Sequence, residues 1–138
     1  TGVRISDIRL LTWNHLHGDT LTFKPYKTRN IEKTVSVPLN QAAKFFLPKE
    51  RNPTNQIFFP LSDQHMNRIL KDVADDLDIR KQVTYHMSRH TFATLFLEAG
   101  GAVEVLQQLM GHSEIGTTMI YTHISDARKR QQLMALLA

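Results

Sequence analysis

The chain has 138 residues and a mass of 15.9 kDa, and its 41% hydrophobic and 22% charged residues are typical of one globular domain. It contains no Cys, which excludes disulfide scaffolds, thiolate metal sites and cysteine nucleophiles, and it has no run of 18 apolar residues that could cross a membrane. The net charge is +4, with ten Lys and Arg against five Asp and Glu in residues 1–69. This is a modest basic footprint for a polyanion, and on charge alone a solvated basic face is the simpler explanation.

The first half of the chain predicts a short helix and then a small antiparallel sheet. Apolar residues recur at helical spacing near the start, and alternating runs flank the turn signal Gly18-Asp19. The predicted elements are a helix, or the end of a longer one, over 6–13, strands around Leu16 and over 21–23 and 34–37, a long basic turn over 26–33, a short helix capped by Asn40 and ending at Phe46, and a loop over 48–56.

The second half predicts helices only. Ser or Asp residues stand where N-caps are expected, and Gly100-Gly101 and Gly111 supply two stops. The predicted helices are one capped by Ser62 or Asp63 and running to Leu77, one over 87–99, one over 102–110, one capped by Ser113 and ending near Tyr121, and a last one capped by Ser125. The predicted class is therefore α+β, mainly α-helical with one small three-stranded antiparallel sheet.

Two histidines stand four residues apart, at 86 and 90, which is the spacing of zinc ligands on a metalloprotease helix. That motif needs Glu beside the first His, and this sequence has Met87 there and no obvious third ligand. A zinc site is therefore not predicted. By themselves, the histidines are best explained as cap or core-edge residues, His112 as an exposed cap residue, and Tyr121 as a packed aromatic.

Taken together, two Arg, two His, a Lys on a turn and a Tyr can support phosphodiester transfer without a metal. Guanidiniums can bind the non-bridging oxygens, a Tyr hydroxyl can attack phosphorus, and Lys or His can protonate the leaving alkoxide. The sequence shows no compact set of carboxylates for paired metal ions. Many domains contain these residue types, so the inventory alone does not establish the activity.

The order of these residues along the chain and the sequence around them are more specific than the residue types alone. In both respects the chain resembles the catalytic domain of the tyrosine recombinase (phage integrase) family. The block His-x-x-Arg-His-Thr-Phe-Ala-Thr, followed by Gly-His and Tyr, is the most specific part of the match. The matching stretches are residues 1–7, 27–28, 37–39, 86–94, 109–113 and 117–123. The resemblance implies the tyrosine recombinase catalytic-domain fold over residues 1–138 as a single domain, without the separate N-terminal core-binding domain.

The resemblance also implies a role for each matching residue. Arg4 and Arg89 would bind the phosphate, Lys27 would protonate the 5′-oxygen, and His86 and His112 would assist proton transfer and phosphate binding. Tyr121 would be the nucleophile that forms a 3′-phosphotyrosyl bond, and Asp7 would orient the site, within reach of Arg4. Lys24 is the alternative to Lys27. We expect Arg4, His86, Arg89 and His112 to converge around one anion-sized pocket.

The implied function is site-specific recombination or integration of a mobile genetic element in bacterial cytoplasm, by a homotetramer on two double-stranded DNA sites, with no cofactor, metal or membrane. The apolar tail at Leu133, Met134, Leu136 and Leu137 could dock on a neighbouring subunit or on its own domain. A topoisomerase-like DNA-relaxing enzyme and a non-catalytic DNA-binding module are the alternatives. Replacing Tyr121 with Phe separates an enzyme from a binding module.

Overall fold

The structure, a computed structural model, describes residues 1–28, 33–49, 55–59, 61–122 and 133–134. Within these ranges a small sheet near the start is followed by a set of helices, as the sequence predicts. The elements are α1 (Ile5–Ile8), β1 (Leu16–His17), β2 (Thr20–Phe23), β3 (Val35–Pro38), α2 (Gln41–Phe45), α3 (Asp63–Asp76), α4 (Tyr85–Glu98), α5 (Val103–Met110) and α6 (Gly116–Met119).

The three strands form an antiparallel sheet in the order β1-β2-β3. Leu21 of β2 stands between Leu16 and Val37, and Phe23 is opposite Val35, so alternate residues of β2 and β3 turn an apolar face to the core. Helix α5 packs against β3. The core on this side consists of Val3, Leu11, Leu21, Phe23, Val35, Val37, Leu39 and Ile57.

Local signals set three of the helix ends in the described residues. The Asn40 side chain accepts a hydrogen bond from the Ala43 amide at 2.8 Å and starts α2, and Ser62 accepts from the His65 amide and starts α3. Gly111 ends α5 in the left-handed conformation with φ 62°. A second core joins α4 to α5 through Ala93, Leu97, Leu106 and Met110.

Two predicted helices were wrong in their extent. The helix predicted over 6–13 is only Ile5–Ile8, because Leu11 accepts a hydrogen bond from the Ile57 amide and Thr12 pairs with Gln56, which draws the chain into an extended path. Ser113 does not cap α6, which begins at Gly116 after a turn with no side-chain cap.

Some predictions lie outside the described residues. These are the helix capped by Ser125, the tail residues Leu136 and Leu137, residues 29–32 of the basic turn and residues 50–54 of the loop. Leu133 and Met134 are described and are exposed. Among the helices of the described ranges, none is long and apolar enough to cross a bilayer.

Candidate active site

The residues that the sequence singles out come from five separate segments and lie around one region of the surface. Arg4 precedes α1, Lys27 lies in a 3₁₀ turn at Tyr26–Thr28, and His86 and Arg89 lie in the first turns of α4. All four line one cavity of about 770 Å³, whereas Lys24 does not line it. Arg4, His86 and Arg89 therefore converge as predicted, whereas His112 does not line this cavity, and the cavity is much larger than the anion-sized pocket that was expected. The geometry favours Lys27 over Lys24.

Arg89 is buried, with 5% of its surface exposed, and it ties three segments together. Its Nη1 donates to the carbonyl oxygen of Gly2, and its Nη2 donates to the carbonyl oxygen of Met110 at 2.6 Å and to Nε2 of His112 at 3.0 Å. A guanidinium has five N–H donors. Among the described residues, the Nε–H and one Nη1–H of Arg89 therefore remain for another acceptor.

Burial, and then the charge of Arg4, lowers the pKa of Arg89 to about 10, against an opposing effect of Tyr121 and Asp7. The guanidinium still carries its charge at neutral pH. Arg89 is a buried cation whose acceptors are neutral and whose charged neighbour, Arg4, is another cation. These contacts do not offset the cost of burying its charge as an ion pair would. Such an arrangement is suited to an anionic ligand, whose charge would offset both guanidiniums.

His112 is also buried, with 5% exposed, so the interpretation of this residue as an exposed cap was wrong. Burial, and then the charges of Arg89, Arg4 and Lys33, lowers its pKa to about 4, and the ring is neutral at pH 7. Because Arg89 can only donate, Nε2 of His112 is the acceptor and Nδ1 carries the proton. Nδ1 then donates to Oγ1 of Thr118 at 2.8 Å.

Arg4 stands at the N-terminal end of α1 and is half-buried. Its guanidinium has no hydrogen-bond partner in the part of the chain that the structure describes, and its charge lowers the pKa values of His86, Arg89 and His112. Its Nη1 is 3.8 Å from where a Cβ on Gly111 would stand. Arg4 thus offers free donors close to the Gly111–His112 turn.

Asp7 is buried and binds a different partner from the one expected. Its Oδ1 accepts a hydrogen bond from the Tyr26 amide at 2.8 Å, and these two described residues, Asp7 and Arg4, form no ion pair. Asp7 therefore connects α1 to the turn that carries Lys27. Its carboxylate orients that turn and not the Arg4 guanidinium directly.

His86 and Lys27 are the exposed members of the site. Partial desolvation, and then the charges of His90, Arg89, Lys27 and Arg4, lowers the pKa of His86 below its ordinary value. His86 is therefore a neutral imidazole at pH 7, able to accept a proton. Lys27 lines the same cavity as His86.

Tyr121 follows α6 and is half-buried against His90, with ring centroids 5.3 Å apart at 61°. His90 in turn packs on His86, with centroids 4.8 Å apart. Tyr121 does not line the 770 Å³ cavity, although its charge would raise the pKa of Arg89. It also packs against the second core, as expected of an aromatic residue among apolar neighbours.

Several residues of the site were not found from the sequence. Thr118 shares a motif with Tyr121, yet nothing local indicates that it binds His112. The Gly2 and Met110 carbonyl groups carry no sequence signal, since every residue has one. Lys33, whose Nζ donates to the His112 carbonyl oxygen at 2.5 Å, is one lysine among several on a basic turn.

Comparison with known proteins identifies the family to which this fold and this set of side chains belong. The model of the phage integrase family matches residues 1–128, so the chain belongs to that family. The tyrosine recombinase XerD of Listeria innocua is 35% identical over 142 aligned positions, covering 93% of this chain and 48% of the relative. The chain thus spans about half the length of the curated relatives it matches.

Solved structures show the same fold. The catalytic domain of bacteriophage HP1 integrase is 29% identical with a TM-score of 0.68, covering 97% of this chain and 74% of that one. The Tn1549 transposon integrase, solved in complex with a circular intermediate DNA, has a TM-score of 0.77 at 21% identity and covers 98% of this chain and 55% of that one. The predicted family and fold are confirmed.

Proposed function

We propose that residues 1–138 form the single catalytic domain of a site-specific recombinase or integrase that cuts and rejoins double-stranded DNA in bacterial cytoplasm. The observation that carries the proposal is the convergence of Arg4, Lys27, His86 and Arg89 on one cavity, with His112 bonded to Arg89. The family match and the DNA complex of the Tn1549 integrase support the choice of substrate.

The phosphate is bound first. Arg4 brings a guanidinium without a partner among the described residues, and Arg89 brings its remaining Nε–H and Nη1–H. Together they can contact both non-bridging oxygens of a phosphodiester, where charge increases in the transition state. Because Arg89 is fixed by three other acceptors, its free donors are already oriented before DNA arrives.

In cleavage, the Tyr121 hydroxyl oxygen bonds to phosphorus and the bond between phosphorus and O5′ breaks. The hydroxyl proton of Tyr121 passes to a neutral imidazole, for which His86 on the cavity wall is the choice, and the Lys27 ammonium gives a proton to O5′. The phosphotyrosyl bond conserves the energy, so attack by another 5′-hydroxyl reverses these transfers. Two guanidiniums and an ammonium supply the positive charge, and no metal or cofactor is required.

The assembled form is proposed to be a homotetramer on two DNA sites. The described tail residues Leu133 and Met134 are exposed, so they are available to a neighbouring subunit. Sedimentation of the chain with and without cleaved DNA tests this, and a DNA complex that contains one subunit per duplex would contradict it.

Covalent trapping tests the chemistry. The chain is incubated with a randomised pool of nicked suicide duplexes, denatured in SDS and examined for protein linked to DNA. We expect a linked band from the wild type and from the matched control Tyr26→Phe, and none from Tyr121→Phe. Sequencing the trapped DNA would identify the site.

A band that persists in Tyr121→Phe would refute the nucleophile. DNA binding in a mobility-shift assay without any linked band would favour the non-catalytic DNA-binding module. Relaxation of supercoiled plasmid by isolated subunits, without strand exchange, would favour the topoisomerase-like alternative.

A further inference from the structure

His90 is an exposed residue of α4 whose ring contacts two members of the proposed site. It packs edge-to-face on His86, with ring centroids 4.8 Å apart at 75°, and on Tyr121, with centroids 5.3 Å apart at 61°. Aromatic rings at such separations prefer this arrangement to a face-to-face stack. His90 therefore contacts both the proposed nucleophile and its proposed proton acceptor, although it transfers no proton in the proposed reaction.

The helix explains why the two histidines meet. Side chains four residues apart on an α-helix lie on the same face, one turn from each other, so His90 stands next to His86. His86 lines the cavity of about 770 Å³, whereas His90 does not. A row of three rings thus leads from the cavity wall at His86, through His90, to Tyr121.

The contacts of His90 are separate from those that hold α4 in the fold. The buried residues of this helix are Arg89, Ala93 and Leu97, of which the last two belong to the second core. A smaller side chain at the exposed position 90 leaves that core intact. It removes the one ring that stacks on Tyr121 among the described residues.

We propose that His90 is a positioning residue that holds the Tyr121 ring beside His86, so that the nucleophile and its proton acceptor stay together on one face of α4. The inference rests on the proposed function. In this role His90 acts through its ring alone, so another aromatic ring of similar size can replace it. Phosphate binding by Arg89 does not depend on it, because the described hydrogen bonds of Arg89 do not include His90.

Two reactions of the duplex recovered by trapping separate this role from a general structural one. In cleavage, the Tyr121 oxygen bonds to phosphorus and the bond between phosphorus and O5′ breaks. In ligation of a strand that ends in a 3′-p-nitrophenyl phosphate, a 5′-hydroxyl oxygen bonds to phosphorus, its proton is lost to the buffer, and p-nitrophenolate leaves. This anion is stable near neutral pH, so ligation needs neither Tyr121 nor a proton from His86. A defect in folding or in phosphate binding slows both reactions.

We expect His90→Ala to slow single-turnover cleavage about 3- to 10-fold, as the loss of one or two ring contacts would, and to ligate the ester at close to the wild-type rate. His90→Phe keeps an aromatic ring and should restore most of the cleavage rate. Thr94→Ala, at an exposed position one turn further along α4, is the matched control and should behave as the wild type does in both reactions.

The placement of the Tyr121 ring can also be measured without DNA, by nitration with tetranitromethane and mass spectrometry. Tyr121 is half-buried, and we expect faster nitration of this residue in His90→Ala than in the wild type, His90→Phe or Thr94→Ala. The exposed Tyr26 is the internal reference and should keep its rate in all four chains.

Unchanged or faster cleavage by His90→Ala would overturn the role of His90, since a contact that kept Tyr121 away from the cavity would give that result. Equal losses in cleavage and ligation, no recovery in His90→Phe, or unchanged nitration of Tyr121 in His90→Ala would also overturn it. A wild-type chain that neither cleaves nor ligates would instead overturn the proposed function, and His90 would lose its role with it even where nitration confirms the ring contact.

Discussion

Acidification should destabilise the fold through His112, because this buried ring is neutral and accepts a hydrogen bond from Arg89. Its pKa is about 4 in the folded chain, and an unfolded His has a pKa near 6.5. Between these values the unfolded chain binds a proton that folded His112 does not, so the free energy of unfolding falls as pH falls. From pH 7.5 to pH 5.0 the loss is about 2 kcal/mol, and above pH 7 this contribution is flat.

Urea unfolding at pH 7.5, 6.0 and 5.0, followed by the fluorescence of Trp13, the single Trp of the chain, measures this loss. His112→Gln is the comparison, because a Gln amide oxygen can accept from Arg89 and cannot titrate. The wild type should lose about 2 kcal/mol more than His112→Gln over this range. His17→Gln, at an exposed position, should behave as the wild type does. Equal losses in wild type and His112→Gln would refute the reasoning.

Two further substitutions test the surroundings of His112 by urea unfolding at pH 7.5. Thr118→Val removes the buried partner of His112 Nδ1 and should lower the free energy of unfolding by about 1–3 kcal/mol. Thr117→Val, at an exposed neighbour, should lower it by well under about 1 kcal/mol. Similar losses in the two variants would contradict the hydrogen bond between His112 and Thr118. Gly111→Ala should lower the free energy of unfolding by about 1–2 kcal/mol or more, since φ is 62° and the new Cβ would stand 2.9 Å from Val35 Cγ2. An unchanged free energy of unfolding would show that the turn can relax.

Local signals predicted the parts of the fold that local interactions determine. Asn40, Ser62 and Gly111 act within one turn of their own helix, so their sequence context is sufficient. The end of α1 could not be predicted in this way. It depends on the pairing of Thr12 with Gln56, which is distant in sequence and competes with the helical spacing of the apolar residues.

The same distinction applies to the site. The family motif identified side chains, and the structure brings Arg4, Lys27, His86 and Arg89 to one cavity. The motif did not reveal what holds these side chains, because the partners of Arg89 include two backbone carbonyl oxygens and the turn beside Lys27 is held by Asp7. Those contacts follow from the packing of distant segments and leave no pattern in sequence.

If a phosphodiester binds as proposed, the hydrogen bond between Arg89 and His112 would link phosphate binding to protonation. Arg89 can donate to Nε2 only while His112 is neutral, and the nearby positive charges keep it so by lowering its pKa. A phosphodiester bound between Arg4 and Arg89, as proposed, would add a negative charge and so oppose the lowering of the His112 pKa. A protonated Nε2 could no longer accept the hydrogen bond from Arg89, so Nη2 of Arg89 would have one more N–H available to the substrate. In the proposed reaction, the negative charge of the transition state would favour exchange of the Arg89–His112 hydrogen bond for contacts to the substrate.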